Sequence, residues 1–479
     1  MNENRNNSPM NPEQLRQQEV LELENKAVEK MLRQQERFEQ ENKAAEKMLR
    51  QQERFEQENK AAEKMLRQQE RFERKSTAAA QKTLRQIREL SHKPDAIEPF
   101  LETLESIFSD RKDVQRPQGI PTIGTFCVMV PPEIIYAQGG MPVKLCGGSS
   151  TAFGIGDDTA PRDACPLVKA VMGFEEIGTM PVYQNCSLMA VPVTCDCKKK
   201  LAGWLGERRP TAILHVPANR DRDEDMERFV SELYRFSGRL EQITGKALDY
   251  DSLSDACRMT ADAQFQLSRF IDLRRKNPLI IRGTFSMAFM NALSCSWLPE
   301  WTRQLSVLNR ELEGRAKAKE MAVKENRPRI LLTGSPVIFP NFKLPLLIES
   351  MGGLLAADET CMGERGFYDP PAVCDRTVDG MIRALANRAT RPCTCPTFTD
   401  NLRRIYRIRQ LIRDYRIQGV IYHVLRGCLV YDYEYRQLEE EMGKLGIPLI
   451  RVETDYNDED VEQLRIRVEA FIELIKYGG

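Results

Sequence analysis

Histidine is nearly absent: three residues in a chain of 479, against thirteen cysteines. Imidazole-rich centres and mixed Cys/His zinc modules have few partners to draw on, and the cysteines lack the paired CxxC spacing commonest for zinc. No cysteine precedes residue 127, and an odd count works against a complete disulfide framework. No apolar run approaches the roughly 20 residues needed to cross a bilayer, and the start Met-Asn-Glu-Asn-Arg-Asn-Asn lacks a signal-peptide hydrophobic region. The expectation is a cytoplasmic protein without membrane attachment, its cysteines reduced or metal-bound. Net charge is missing as well: 70 basic residues balance 70 acidic ones, so no global field points to nucleic acid. The Gly147-Gly-Ser-Ser turn lacks the lysine that completes a phosphate-binding P-loop, which places any ATP hydrolysis on a partner.

What the chain does have is thiols at turns. Cys165, the pair Cys195 and Cys197, Cys361, the pair Cys393 and Cys395, and Cys428 mostly fall where a strand-like run breaks. Thiolates in such numbers favour an iron–sulfur cluster over a zinc site.

The first 92 residues read as a long charged helix. Three 17-residue units follow one another at Glu24–Gln40, Glu41–Gln57 and Glu58–Arg74, repeating Met31, Met48 and Met65 at one phase and Phe38, Phe55 and Phe72 at another. Seventeen residues over five turns is about 3.4 per turn, slightly below the heptad value, so the seam is that of a coiled coil with a repeated stammer. A solvated single helix held by i,i+4 charge pairs is the alternative.

Two prolines in His92-Lys-Pro-Asp-Ala-Ile-Glu-Pro end this helix. Residues 93–326 then read as a first α/β lobe, with a strand from Thr122 to Val130, a helix from Pro132 to Gln138 and a strand from Met141 to Leu145. Helices follow at about 223–275 and 286–324. After the polar stretch beginning at Lys324, residues 327–479 alternate again: strands from Ile330, Gly353, Gly419 and Pro448, and helices at 342–351, 402–415, 433–444 and 458–476. The fold class is therefore α/β, two Rossmann-like lobes with parallel sheets and a helical insertion behind an N-terminal coiled coil. Cys195, Cys361 and Cys428 are expected near the carboxyl ends of strands, where ligands of such sheets bind.

From about residue 115 onward the chain resembles the 2-hydroxyacyl-CoA dehydratase and benzoyl-CoA reductase family, and within it the double-cubane cluster proteins. The resemblance rests on Gly124-Thr-Phe-Cys-Val-Met-Val-Pro-Pro-Glu with the following Gly139-Gly-Met-Pro-Val, Cys165-Pro-Leu-Val-Lys, Thr194-Cys-Asp-Cys-Lys-Lys-Lys, Arg329-Ile-Leu-Leu-Thr-Gly-Ser-Pro, Cys393 with Cys395, Gly427-Cys and Glu453-Thr-Asp-Tyr. It does not cover the N-terminal repeats.

The resemblance implies an oxygen-sensitive iron–sulfur protein reduced by a separate ATP-hydrolysing activator that carries its own [4Fe-4S] cluster. Cys165, Cys195 and Cys428 match the positions that supply three thiolates to the family's common cubane. Cys361, Cys393, Cys395 and Cys146 are the candidates for a second cubane, giving an [8Fe-9S] double cubane in place of a single [4Fe-4S]. The double-cubane members resemble low-potential reductases and homodimers. The single-cluster dehydratases pair two subunits and expel a hydroxyl from a ketyl radical. A catalytically inactive coiled-coil scaffold is a third reading.

The chain departs from close relatives at Met180-Pro181, where they place Cys-Pro; Cys186 either takes over or that cysteine is not a ligand. Cys127 separates the subfamilies poorly, Cys197 reads as a neighbour of the site, and Cys257, Cys295 and Cys374 have no motif support. Lys198, Lys199 and Lys200 could raise a cluster's potential, form a solvated turn, or meet the activator. His423 and Glu133 are possible proton donors without an assignment.

Overall fold

The computed structural model describes residues 11–108, 117, 119–323, 326–366 and 369–477; Lys324 and Glu325, which open the polar linker, lie outside these. One compact unit ends at Gln68 and the other begins at Gln69. In the first, the helix Pro12–Arg88 leaves the repeat side chains in solvent, with Phe38 64% and Phe55 63% exposed. The same helix, once in the second unit, buries Phe72, Ser76, Ala80, Thr83, Leu84 and Ile87 at helical spacing. Phe72 meets Phe174 edge-on with centroids 6.0 Å apart, and the Gln69 amide donates to the Ile177 carbonyl at 2.8 Å. The identical Arg-Gln-Gln-Glu-Arg-Phe hexapeptide is thus solvated at 33–38 and core-forming from Gln69 onward. Packing, not sequence, makes the difference.

Two four-stranded sheets form the second unit. The first has β1 (Thr122–Thr125), β2 (Met141–Lys144), β3 (Cys186–Val193) and β4 (Thr211–His215) in the order β2-β1-β3-β4. The other has β5 (Arg329–Gly334), β6 (Leu354–Glu359), β7 (Gly419–Leu425) and β8 (Leu449–Thr454) in the order β6-β5-β7-β8. Every pairing is parallel, and β5, β6 and β7 are almost wholly buried, as strands covered by helices on both faces must be. In both sheets the chain turns one way from the first strand and then the other. The switch lies between β1 and β3 and between β5 and β7, where parallel sheets open a crevice at their carboxyl ends. One apolar core joins the sheets, taking Met141 and Val143 from the first, Ile330 and Leu332 from the other, and Phe285, Phe289 and Trp301 from the helices Gly283–Ala292 and Leu298–Ala318.

The α/β architecture with two parallel sheets and a long N-terminal helix is as expected. The strand expected over Thr122–Val130 stops at Thr125. Beyond it Met129 and Val130 are buried in a loop, and their burial needs apolar side chains without a ladder.

Candidate metal centre

The carboxyl ends of both sheets converge on one cavity of about 190 Å³. Eight cysteines line it: Cys127 after β1, Cys146 and Cys165 between β2 and β3, Cys195 and Cys197 after β3, Cys361 after β6, Cys395, and Cys428 after β7. No histidine lines it. Of the sequence-expected ligands, Cys146, Cys165, Cys195, Cys361, Cys395 and Cys428 are brought together here. Cys393 is not among the lining residues; it is buried against Met129 and Phe398, and its carbonyl accepts from Arg220. Cys127 and Cys197, which carried no ligand expectation, do line the cavity. Cys186 faces the core, its thiol against the Val182 carbonyl at 3.0 Å, and Cys257 belongs to the apolar cluster around the helices Asp223–Thr244 and Tyr250–Lys276.

Cys165, Cys195 and Cys428 share a feature that spacing alone does not reveal. Each is the N-cap of a helix: Pro166–Ile177, Asp196–Gly206 and Leu429–Leu445 respectively. Three helix N-termini, with their unpaired N–H groups and positive dipole ends, therefore meet at the cavity, and all three favour negative charge on the capping sulfur. Cys165 and Cys428 are neighbours. The Cys165 thiol donates to the Cys428 sulfur, which, together with the Tyr431 N–H and the Ser335 hydroxyl, brings Cys428 down to about 7 against the pull of burial. The same hydrogen bond, added to burial, holds Cys165 well above the ordinary thiol range.

This neighbourhood depends on Gly427. Its φ is +75°, and a Cβ there would stand 2.6 Å from the Asp163 carbonyl oxygen, so only glycine lets the Cys428 turn close on the Asp163–Cys165 segment.

Burial pushes Cys146 up to about 11, and raises Cys195 and Cys395 as well. Three cations stand among them: Lys144, Lys198 and Arg365. Burial alone would lower Lys198, but Cys127, Cys146, Cys195 and Cys361 together hold it above the usual ammonium range, and its Nζ donates to the Phe126 carbonyl at 2.7 Å. For Lys144 burial prevails over the pull of Cys361, Cys146 and Cys127. Lys199 and Lys200 are exposed.

Arg365 is fixed by Glu359 at 3.0 Å, by the Thr394 carbonyl at 3.1 Å and by the Tyr431 hydroxyl at 2.6 Å, yet among the described residues its buried Nε–H has no partner. An unpaired donor in the wall of a thiol cavity fits an anionic occupant. Among the described residues no three Cys, His, Asp or Glu side chains converge as ligands of a single ion would. Ligands of a polynuclear cluster bind different irons and need no common point. The donor set, soft, anionic when deprotonated and surrounded by cations, thus fits an iron–sulfur cluster.

The two groups considered as proton donors have other engagements. Glu133 is fully buried in a bidentate pair with Arg388, at 2.6 and 2.7 Å. His423 Nδ1 lies 2.9 Å from the Ser335 carbonyl, and burial lowers the ring to about 4, leaving it neutral. Neither lines the cavity.

Residues 127–475 match the model of the 2-hydroxyglutaryl-CoA dehydratase D-component family. Relatives include a protein of Escherichia coli strain K12, YjiM, provisionally assigned as a dehydratase subunit: 28% identical, over 80% of this chain and 98% of its own length. The (R)-phenyllactyl-CoA dehydratase beta subunit of Clostridium sporogenes is 24% identical over 78% of this chain and 99% of its length. The (R)-2-hydroxyglutaryl-CoA dehydratase beta subunit of Acidaminococcus fermentans is 22% identical over 79% and 99%. The chain belongs to the 2-hydroxyglutaryl-CoA dehydratase D-component family and is an enzyme of that family.

Proposed function

We propose that the protein is a low-potential iron–sulfur reductase of the double-cubane type, working in the cytoplasm and supplied with electrons by a separate ATP-hydrolysing activator that bears a [4Fe-4S] cluster. The observation that carries this reading is the meeting of eight thiols, without imidazole, in one cavity between the carboxyl ends of two parallel sheets. Cys165, Cys195 and Cys428 at their helix N-termini would hold one cubane, and Cys146, Cys361 and Cys395 the other. Bound there, the cluster supplies electron storage at low potential. The chain's own part is electrostatic: Lys144, Lys198 and Arg365 offset the charge added on reduction, and the buried apolar walls Phe126, Leu167 and Val168 limit water.

A dehydratase subunit with a single [4Fe-4S] is the second reading, favoured by the three lining cysteines Cys165, Cys195 and Cys428 sharing the N-cap position of a helix. Iron counting separates the two: anaerobically purified protein should carry about eight irons per chain for the first and about four for the second. Iron-free protein under those conditions would sink both.

The assembly is a homodimer, with pairing of the repeat helix reinforcing it through Met31, Phe38, Met48 and Phe55. Sedimentation should give twice the 55.0 kDa chain mass. Removing residues 1–68 should make the dimer dissociate at higher concentration; equal resistance to dilution would reject the helix's role. The cut must stop there, because Phe72, Leu84 and Ile87 belong to the core.

A further inference from the structure

The helix Leu402–Tyr415 concentrates positive charge in a chain whose basic and acidic residues balance. Its side chains Ile405, Ile408, Leu411 and Ile412 recur at helical spacing and are buried, and Arg404 turns inward to Glu359. The other arginines face outward. Arg403, Arg407, Arg409 and Arg413, with Lys444 of the helix Leu429–Leu445, line an open groove of about 920 Å³ whose lining holds one carboxylate, Glu441. Glu441 is already taken up by Arg409 at 2.6 Å and Lys444 at 3.8 Å, and Arg403 leans on the exposed Asp221 at 3.0 Å. Arg407 donates to the neutral Gln410 amide oxygen at 3.0 Å, and among the described residues neither it nor Arg413 has a carboxylate within ion-pair distance.

The groove adjoins the thiol cavity without being part of it. Thr394 lines the groove and Cys395, the next residue, lines the cavity, so one peptide link separates the two. That link is held in place, its Thr394 carbonyl accepting from Arg365 at 3.1 Å and from Asn401 at 3.2 Å. A pocket built for a small anion buries its donors and leaves one of them waiting. Among the described residues, none of the side chains lining this groove is buried with an unpaired polar atom. Arg403, Arg413 and Lys444 are instead exposed, as is Tyr406 at 63%. Arginines and a tyrosine spread over two helices fit a protein face, where surface charge steers the encounter.

We propose that this groove is where the electron donor docks, through an acidic face, and that electrons reach the cluster across the Thr394–Cys395 wall. The inference rests on the cluster reading above. Each transfer oxidises the donor's cluster by one electron and reduces the cluster here by one; no bond forms or breaks.

The test is Arg407→Glu with Arg413→Glu in the full chain, iron-loaded anaerobically and reduced with titanium(III) citrate. The probe is an oxidised plant-type ferredoxin, a small acidic protein that accepts one electron and is too large to enter the cavity. Transfer to it, followed by stopped flow, reports the docking face, because forward and reverse transfer cross the same contact. The parent's rate constant should fall at least about tenfold between roughly 0.01 and 1 M ionic strength, as the screening length shrinks from about 30 to 3 Å. At low salt the variant should be about tenfold or more slower than the parent, and nearly insensitive to salt. Its iron per chain and its reduction by titanium citrate should match the parent's. Equal rates and salt dependence at equal iron overturn the inference and leave the cluster reading intact. So does an equal loss in Lys199→Glu with Lys200→Glu, which reverses exposed charge beyond Cys197 and would make the effect a general one. Pyrophosphate binding, seen by calorimetry in the parent and lost in the variant at unchanged ferredoxin rates, would make the groove a small-anion site and also overturn it. If neither protein takes iron, both readings fall together. Should the pair not fold, Arg413→Glu with Lys444→Glu, both at exposed positions, gives the same comparison.

Discussion

Cys428→Ser should empty the site: anaerobically prepared protein is expected to retain at least about tenfold less iron than the parent, with its helical circular dichroism unchanged. Cys428 is the thiol best prepared to bind. It caps the helix Leu429–Leu445, accepts the hydrogen bond of Cys165, and is brought down to about 7, whereas Cys146, Cys165, Cys195 and Cys395 are pushed up. Serine is close in size and its hydroxyl suits an N-cap, so the turn after β7 persists. Its hydroxyl is a hard ligand that stays protonated, and soft iron–sulfur chemistry loses a member of its set. Cys393→Ser is the matched control. That residue lies outside the cavity lining, packed on Met129 and Phe398, and its substitution should leave the iron content unchanged. Metal analysis of the two variants side by side decides the matter; a Cys428→Ser protein with its full iron would remove Cys428 from the ligand set.

Much of this arrangement could be read from the chain because parallel strands are continuous apolar runs with a ligand-bearing turn at one end. Ile330–Gly334 and Gly419–Leu425 announce themselves in that way, and the turns after β6 and β7 carry Cys361 and Cys428 into the cavity. Spacing decides less well between near neighbours. Cys393 and Cys395, two residues apart, would share a face of an extended segment. Here the backbone is a turn clamped by Arg220, which reaches the Thr390 and Asp400 carbonyls at 3.2 and 3.3 Å, and only Cys395 reaches the cavity. Cys197 gains its place because the chain turns into a helix directly after Cys195, which keeps both sulfurs at one helix end. Lys144 and Arg365 had no signature at all. Each is a lone cation in sequence and becomes part of the site only through the folding of β2 and of the short turn Glu364–Gly366.

The buried ion network behind the cavity is where the fold and the site depend on each other most directly. Glu359, the last residue of β6, lies 3.0 Å from Arg365 and 3.2 Å from Arg404, accepts from the Thr333 hydroxyl at 2.7 Å and also from the Thr394 hydroxyl. Burial pushes its carboxyl up, but Arg365 and Arg404 outweigh burial and keep it ionised. Through Thr394 it reaches the turn that bears Cys395, and through Arg365 and Tyr431 the helix that follows Cys428. Glu359→Ala would leave two guanidinium groups, each under 4% exposed, with Glu434 as the remaining carboxylate partner of Arg404. Stranding buried charge costs about 3–5 kcal/mol, so urea unfolding of the iron-free protein should show a loss of that order. A loss below about 1 kcal/mol would show that water reaches the arginines and that the network is not buried in solution. The double variant Glu359→Leu with Arg365→Met separates charge from packing, since removing a buried pair together costs far less than removing one partner. If the loss comes from stranded charge, the double variant should recover much of it; if it comes from lost volume, the double variant should be no better than Glu359→Ala. Recovery of stability without recovery of iron would then assign the network its second role. On that outcome charge balance would hold the lobe together, while the Glu359–Arg365–Thr394 contacts would serve to position the segments that carry Cys361 and Cys395.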